Sequence, residues 1–186
     1  MHKKTLITIA MVALTLITIV PVFAIKPTGP ASTNGVEKGK NDHLYLLEKD
    51  PVTWEVVEEV SAWAKLNINA KNGKFVCNAH GLMPDVEYAL IAYQDEWPGE
   101  GSMLLGTDTA GEDGNVHIKG EIDYDTLPVY QYDTNEDQVD DVTASKIWLV
   151  FADDYVHVEE GDDYMDDWNP TGYLFEFDLI NKTPIE

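Results

Sequence analysis

Carboxylates are the residues best placed to do chemistry in this chain. Their densest run is Asp133-Thr134-Asn135-Glu136-Asp137-Gln138-Val139-Asp140-Asp141. Oxygen-bearing side chains fall at alternate positions, Asp133, Asn135 and Asp137. Asp141 follows, and Val139 can lend its backbone carbonyl. A loop with this spacing can wrap a hard cation, so calcium is the ligand to expect, at Asp133, Asn135, Asp137, Val139 and Asp141. The competing reading is a solvated acidic loop.

A second acidic stretch runs from Asp153-Asp154 through Glu159-Glu160-Gly161-Asp162-Asp163 to Asp166-Asp167. Together the two stretches carry thirteen carboxylates between Asp133 and Asp167 against the single Lys146, a concentration that repels itself unless ions screen it. A third place is Asp95-Glu96-Trp97-Pro98-Gly99. Paired carboxylates suffice for glycoside hydrolysis, so Asp95 and Glu96 are the pair a carbohydrate-active enzyme would use. Trp97 and Trp168 are the indoles expected to stack on a sugar ring.

Other chemistries find no footing. There is no Gly-x-Ser-x-Gly elbow for a serine nucleophile. His43, His80, His117 and His157 are scattered, with no pair at i, i+2 or i, i+4, so no zinc or copper cluster is expected. Cys77 alternates with Phe75 and Ala79, which places it in the core as a small apolar residue. As a lone cysteine it forms no internal disulfide.

Charge narrows the partners. The 186 residues hold 34 acids, 12 lysines and no arginine, for a net charge of -22. Nucleic acid and anionic membranes are poor partners for such a surface. Without arginine, bidentate clamps on phosphate or carboxylate are absent too.

The elements that must hold these residues read as strands. Leu66, Ile68 and Ala70 alternate with Lys65, Asn67 and Asn69, and beyond Asn72-Gly73 the alternation resumes at Phe75, Cys77 and Ala79. That predicts a β-hairpin with a type I′ turn. Further strands are expected over 43–48, 54–57, 87–93, 103–107, 116–120, 146–151 and 173–179. About nine short strands with Gly, Pro, Asn and Asp turns predict an all-β fold, an antiparallel Greek-key β-sandwich. The links 123–145 and 153–171 should lie at its ends, where function usually sits.

Met1 to Ala24 reads as a secretory signal peptide. Lys3 and Lys4 precede the apolar run Thr5–Val20, and small residues at Val22 and Ala24 mark the cut. Residues 25–42 form an expected flexible leader and 43–183 the folded domain, so the protein is expected outside the cell or on its surface. Asn181-Lys182-Thr183 is a glycosylation sequon, whereas Asn169-Pro170-Thr171 is blocked by its proline.

Three resemblances attach to these residues. The Asp133–Asp141 run resembles the calcium loops of EF-hand and dockerin-like proteins. It departs from them at Gln138, where they place Gly, and at Ala144, where they place a bidentate Glu. The hairpin followed by Gly81-Leu82-Met83-Pro84 resembles Greek-key sandwiches of the copper-zinc superoxide dismutase and CHRD kind. The following strand, 87–93, carries none of the dismutase copper histidines, so the likeness implies fold alone. Segments from Leu44 to Ile180, including Trp97-Pro98-Gly99 and Trp168-Asn169-Pro170-Thr171, are similar to uncharacterised secreted β-sandwich proteins of methanogenic archaea. That likeness implies an extracellular place and brings no catalytic residues.

The function expected from all this is a secreted, acidic, non-enzymatic binding or cell-envelope module. Its partner would be an extracellular glycan or an envelope protein, and calcium the stabilising ion. The alternatives are the Asp95/Glu96 carbohydrate-active enzyme and a self-assembling surface-layer or sheath component.

Overall fold

Alternation of apolar and polar residues sets the architecture in this computed structural model, which describes residues 41–69, 71–123, 126–132, 142–176 and 180–184. The protein is all-β. In chain order the strands are β1 (Asn41–Leu47), β2 (Trp63–Asn69), β3 (Lys74–His80), β4 (Glu87–Tyr93), β5 (Met103–Thr109), β6 (Val116–Glu121), β7 (Tyr130–Tyr132), β8 (Val142–Phe151), β9 (Tyr155–Val156), β10 (Tyr164–Met165), β11 (Leu174–Glu176) and β12 (Ile180–Pro184). The only helical pieces among the described residues are 3-10 turns at Ala152–Asp154 and Pro170–Gly172.

The β2–β3 hairpin forms as its alternation predicts, pairing Ala64 with Ala79, Leu66 with Cys77 and Ile68 with Phe75. Its turn differs from the expected type I′. That turn needs positive φ at both central residues, and here only Gly73 has it (φ 69°). The Asn69 carbonyl instead accepts the N–H groups of Asn72 (3.2 Å) and Gly73 (2.8 Å), so the loop is longer. Gly73 is also required for space, because a Cβ there would sit 1.9 Å from the Ile122 carbonyl oxygen.

The large sheet is antiparallel, with strand order β5-β4-β8-β11-β1-β2-β3-β6, and β7 and β12 also pair with β8. It curls until it is nearly a closed barrel. At the seam between β5 and β6, glycines permit close approach. A Cβ on Gly106 would lie 2.8 Å from Ile118 Cγ2, and one on Gly120 3.3 Å from the Leu105 carbonyl. Across that seam Asp108 Oδ2 accepts the His117 N–H at 2.8 Å, a side chain substituting for a ladder bond.

Two apolar clusters follow from the pleat. Inside the curl lie Leu44, Leu46, Leu66, Phe75, Cys77, Leu90, Ile147, Leu149 and Leu174. Each large side chain there contributes about 1.5–3 kcal/mol by leaving water. The outer cluster, on the opposite face of β4, β8 and β11, holds Ala89, Ile91, Tyr93, Trp148, Val150, Tyr173 and Phe175.

Several expected boundaries move. Among the described residues twelve strands stand where about nine were expected, with β7, β9 and β10 as short pieces inside the acidic links. The strand expected over 54–57 is absent apart from the single bridge Lys49–Val56. Its first amides bond locally: Trp54 N–H donates to the Asp50 carbonyl at 2.8 Å and Glu55 N–H to Thr53 Oγ1 at 3.3 Å. The last expected strand, 173–179, is described as β11 over Leu174–Glu176, with 177–179 outside the described residues, and β12 lies beyond it.

Candidate functional site

The outer cluster exists because β4, β8 and β11 are apolar on both faces. One face fills the curl, so the other must be covered. Tyr93 stacks on Trp148 with ring centroids 3.7 Å apart and planes 13° from parallel. Phe175 meets Trp148 edge-on at 5.2 Å, and Tyr173 lies 6.1 Å from Phe175. The segment from Ala152 to Gly172 folds over this bed.

Two buried carboxylates pin that segment. Asp154 is 6 % exposed and accepts the Tyr173 hydroxyl, and the Asn169 amide at 2.9 Å. Asp163 accepts the Tyr155 hydroxyl (2.7 Å) and the Val158 N–H (2.8 Å), with His157 Nδ1 2.9 Å from each of its oxygens. Burial pushes the Asp163 carboxyl up, but these donors and the His157 charge outweigh it, and the net shift is downward. Burial, and then the adjoining carboxylates, raise the tyrosines: Tyr155 and Tyr173 well above their ordinary value, and Tyr93, beside Asp95, up to about 12. The backbone completes the clamp. Met165 N–H donates to the Pro98 carbonyl at 2.8 Å and Gly101 N–H to that of Asp163 at 3.1 Å, tying the Trp97 loop to β10.

On this bed stand three indoles. Trp168 is half-buried. Trp97 meets it at 5.7 Å in an edge arrangement, and Trp54 at 6.0 Å. Trp54 is 46 % exposed and Trp97 52 %, uncommon values for a residue so rarely left in water. Both are held by unusual backbone. Trp54 has φ 61°, and Glu96, just before Trp97, has φ 71°. Non-glycine residues in that region cost stability and cluster at functional sites.

The flanking charges are paired. Lys146 Nζ lies 2.6 Å from both Asp95 oxygens. Lys49 Nζ lies 3.8 Å from Glu176 Oε1. Glu176 is 8 % exposed, and its Oε2 has no hydrogen-bond partner, as is true of the buried Trp148 Nε1. Burial raises the Glu176 carboxyl, opposed by the charges of Lys49 and Lys146 and by the nearby Trp148 indole.

The structure thus brings Trp97 and Trp168 together, with Asp95 engaged by Lys146 and Glu96 exposed beside Trp97. The residues of the expected calcium loop, Asp133, Asn135, Asp137, Val139 and Asp141, lie outside the described residues. Among the described residues no three His, Cys, Asp or Glu converge as for a metal ion. In the second acidic stretch Asp154 and Asp163 turn inward as anchors, while Glu159, Glu160, Asp162, Asp166 and Asp167 are exposed. Cys77 is fully buried, and burial pushes its thiol up to about 12, so it is no nucleophile. Asn181 falls within β12, at the register shift between Ile180 and Thr183.

Sequence reasoning missed Trp54 and Glu176. A tryptophan directly after an Asp50-Pro51 turn was the available signal for the first. Nothing local marks Glu176, which becomes unusual only through what β11 packs against.

No protein-family model matches the chain, and no curated protein or solved structure is significantly similar to it.

Proposed function

We propose that this is an exported, non-enzymatic glycan-binding module, and that Trp54, Trp168 and Trp97 form its binding platform. One observation carries this reading: two half-exposed indoles, held on strained backbone, flank a third that is packed into a buried aromatic bed. A flat sugar face covers apolar area when it stacks on such rings. Because the rings are fixed beforehand, little side-chain entropy opposes binding. Export follows from the Met1–Ala24 leader, and the natural partner is a glycan of the cell envelope or the medium. Calcium at the Asp133–Asp141 loop would order the acidic end. Hydrolysis by Asp95 and Glu96 is the weaker reading, since both Asp95 oxygens already face Lys146.

The Greek-key sandwich belongs to the same proposal. If the β5–β6 seam counts as adjacency, β3 to β6 lie in the spatial order 3-6-5-4, the Greek-key order. The two halves of the sheet would then face each other across the inner cluster.

Titration of the protein with a panel of soluble oligosaccharides, followed by tryptophan fluorescence, tests the proposal. The expected result is a saturable change with at least one glycan that Trp97→Ala abolishes. Absence of any response across the panel would refute it, and product release lost in Glu96→Gln would establish the enzyme instead.

A further inference from the structure

We infer that the Trp54–Trp168–Trp97 platform selects a glycan carrying free amines, a glucosamine-type polymer, over neutral or acidic sugars. This rests on the platform reading above and adds a charge to the ligand.

The charges around the indoles supply the argument. Glu55 adjoins Trp54 and Glu96 adjoins Trp97 in the chain, and the Asp167 carboxylate accepts the Trp168 backbone N–H at 2.8 Å. Glu176 is more than nine-tenths buried, with Oε1 3.8 Å from Lys49 Nζ and Oε2 without a hydrogen-bond partner. Among the described side chains on this side, Lys49 lies against Glu176 and Lys146 against Asp95. Lys65, Lys74 and Lys119 belong to β2, β3 and β6, in the other half of the sheet. The chain has no arginine with which to hold an acidic sugar.

An ammonium-bearing sugar answers every part of this. Its ring face stacks on indole, and its ammonium is drawn to the negative π-face and to the flanking carboxylates. The field of a molecule with net charge -22 raises the local concentration of cations. A neutral sugar gains the stacking alone, and a uronic acid is repelled.

The test is calorimetric titration of the full protein with glucosamine hexamer, N-acetylglucosamine hexamer and hexalysine, at a pH that keeps the sugar amines protonated. The expected result is that the free-amine sugar binds about tenfold or more tightly than the acetylated one. That preference should shrink between ~0.05 M and ~0.5 M salt. Binding should also be lost in both Trp97→Ala and Trp54→Ala, whose side chains are exposed enough to leave the fold intact. Equal binding of the two sugars at both salt concentrations would overturn the inference while leaving the platform intact. Hexalysine binding as tightly as the amino sugar would overturn it in favour of a basic peptide. Binding of neither sugar would remove the platform reading and this inference together.

Discussion

At the scale of single residues, neighbouring tryptophans have opposite work. Trp148 is buried between Tyr93 and Phe175, so Trp148→Ala should cost about 3–5 kcal/mol by denaturant unfolding. Trp97 is half in water, and Trp97→Ala should stay within about 0.5 kcal/mol of the parent while losing ligand. Two carboxyls should respond oppositely to pH. Asp163 titrates below its ordinary value, so its contribution is present above the unfolded-state pKa, about 3.9, and is lost as pH falls through the lower folded value. Glu176 titrates above its ordinary value. Its contribution is present below the unfolded pKa, about 4.3, and is lost as pH rises through the folded value. Melting curves against pH should therefore show Asp163→Asn flattening the acid limb. Glu176→Gln should flatten the decline above pH ~4.3 and melt higher than the parent at neutral pH.

At the scale of elements, the weak point is the β5–β6 seam. With Asp108→Ala the His117 N–H loses its acceptor, and hydrogen exchange at His117 should quicken while the β2–β3 ladder keeps its protection. Gly120→Ala places a methyl 2.8 Å from the Phe75 ring and should cost about 1–3 kcal/mol. The elements also show where the sequence was readable. β2, β3 and β6 alternate because one face is dry and the other wet, and β4 from Tyr88 and β8 from Ile147 are apolar because both faces are covered. β7, β9 and β10 were hidden because two or three residues carry no period, and the carboxylates around them read as loop. The segment 54–57 misled for a different reason. Its residues favour a strand, but Trp54 N–H goes to the Asp50 carbonyl and Glu55 N–H to the Thr53 hydroxyl, closing a turn instead. Trp97 and Trp168 were singled out from residue type alone, and the structure brings their rings to 5.7 Å from each other. Trp54 and Glu176 were not, because what distinguishes them is contact across strands far apart in the chain.

At the scale of the whole molecule, charge dominates. A net charge of -22 with no arginine means the native state carries self-repulsion that salt relieves. Monovalent salt should raise the melting temperature gradually. Calcium should raise it at far lower concentration if the Asp133–Asp141 loop binds it, through an added stability of about 2.7 kcal/mol at roughly a hundredfold excess over Kd. Asp137→Ala should abolish the calcium increment and leave the salt increment. On the proposed reading the same field would disfavour polyanionic ligands. The most direct test of the account is calorimetric titration of a soluble glycan bound by the parent into the Trp54→Ala/Trp97→Ala double variant. The account predicts no measurable heat of binding from a protein whose melting temperature matches the parent. Undiminished affinity in the double variant would place the binding surface elsewhere and contradict it.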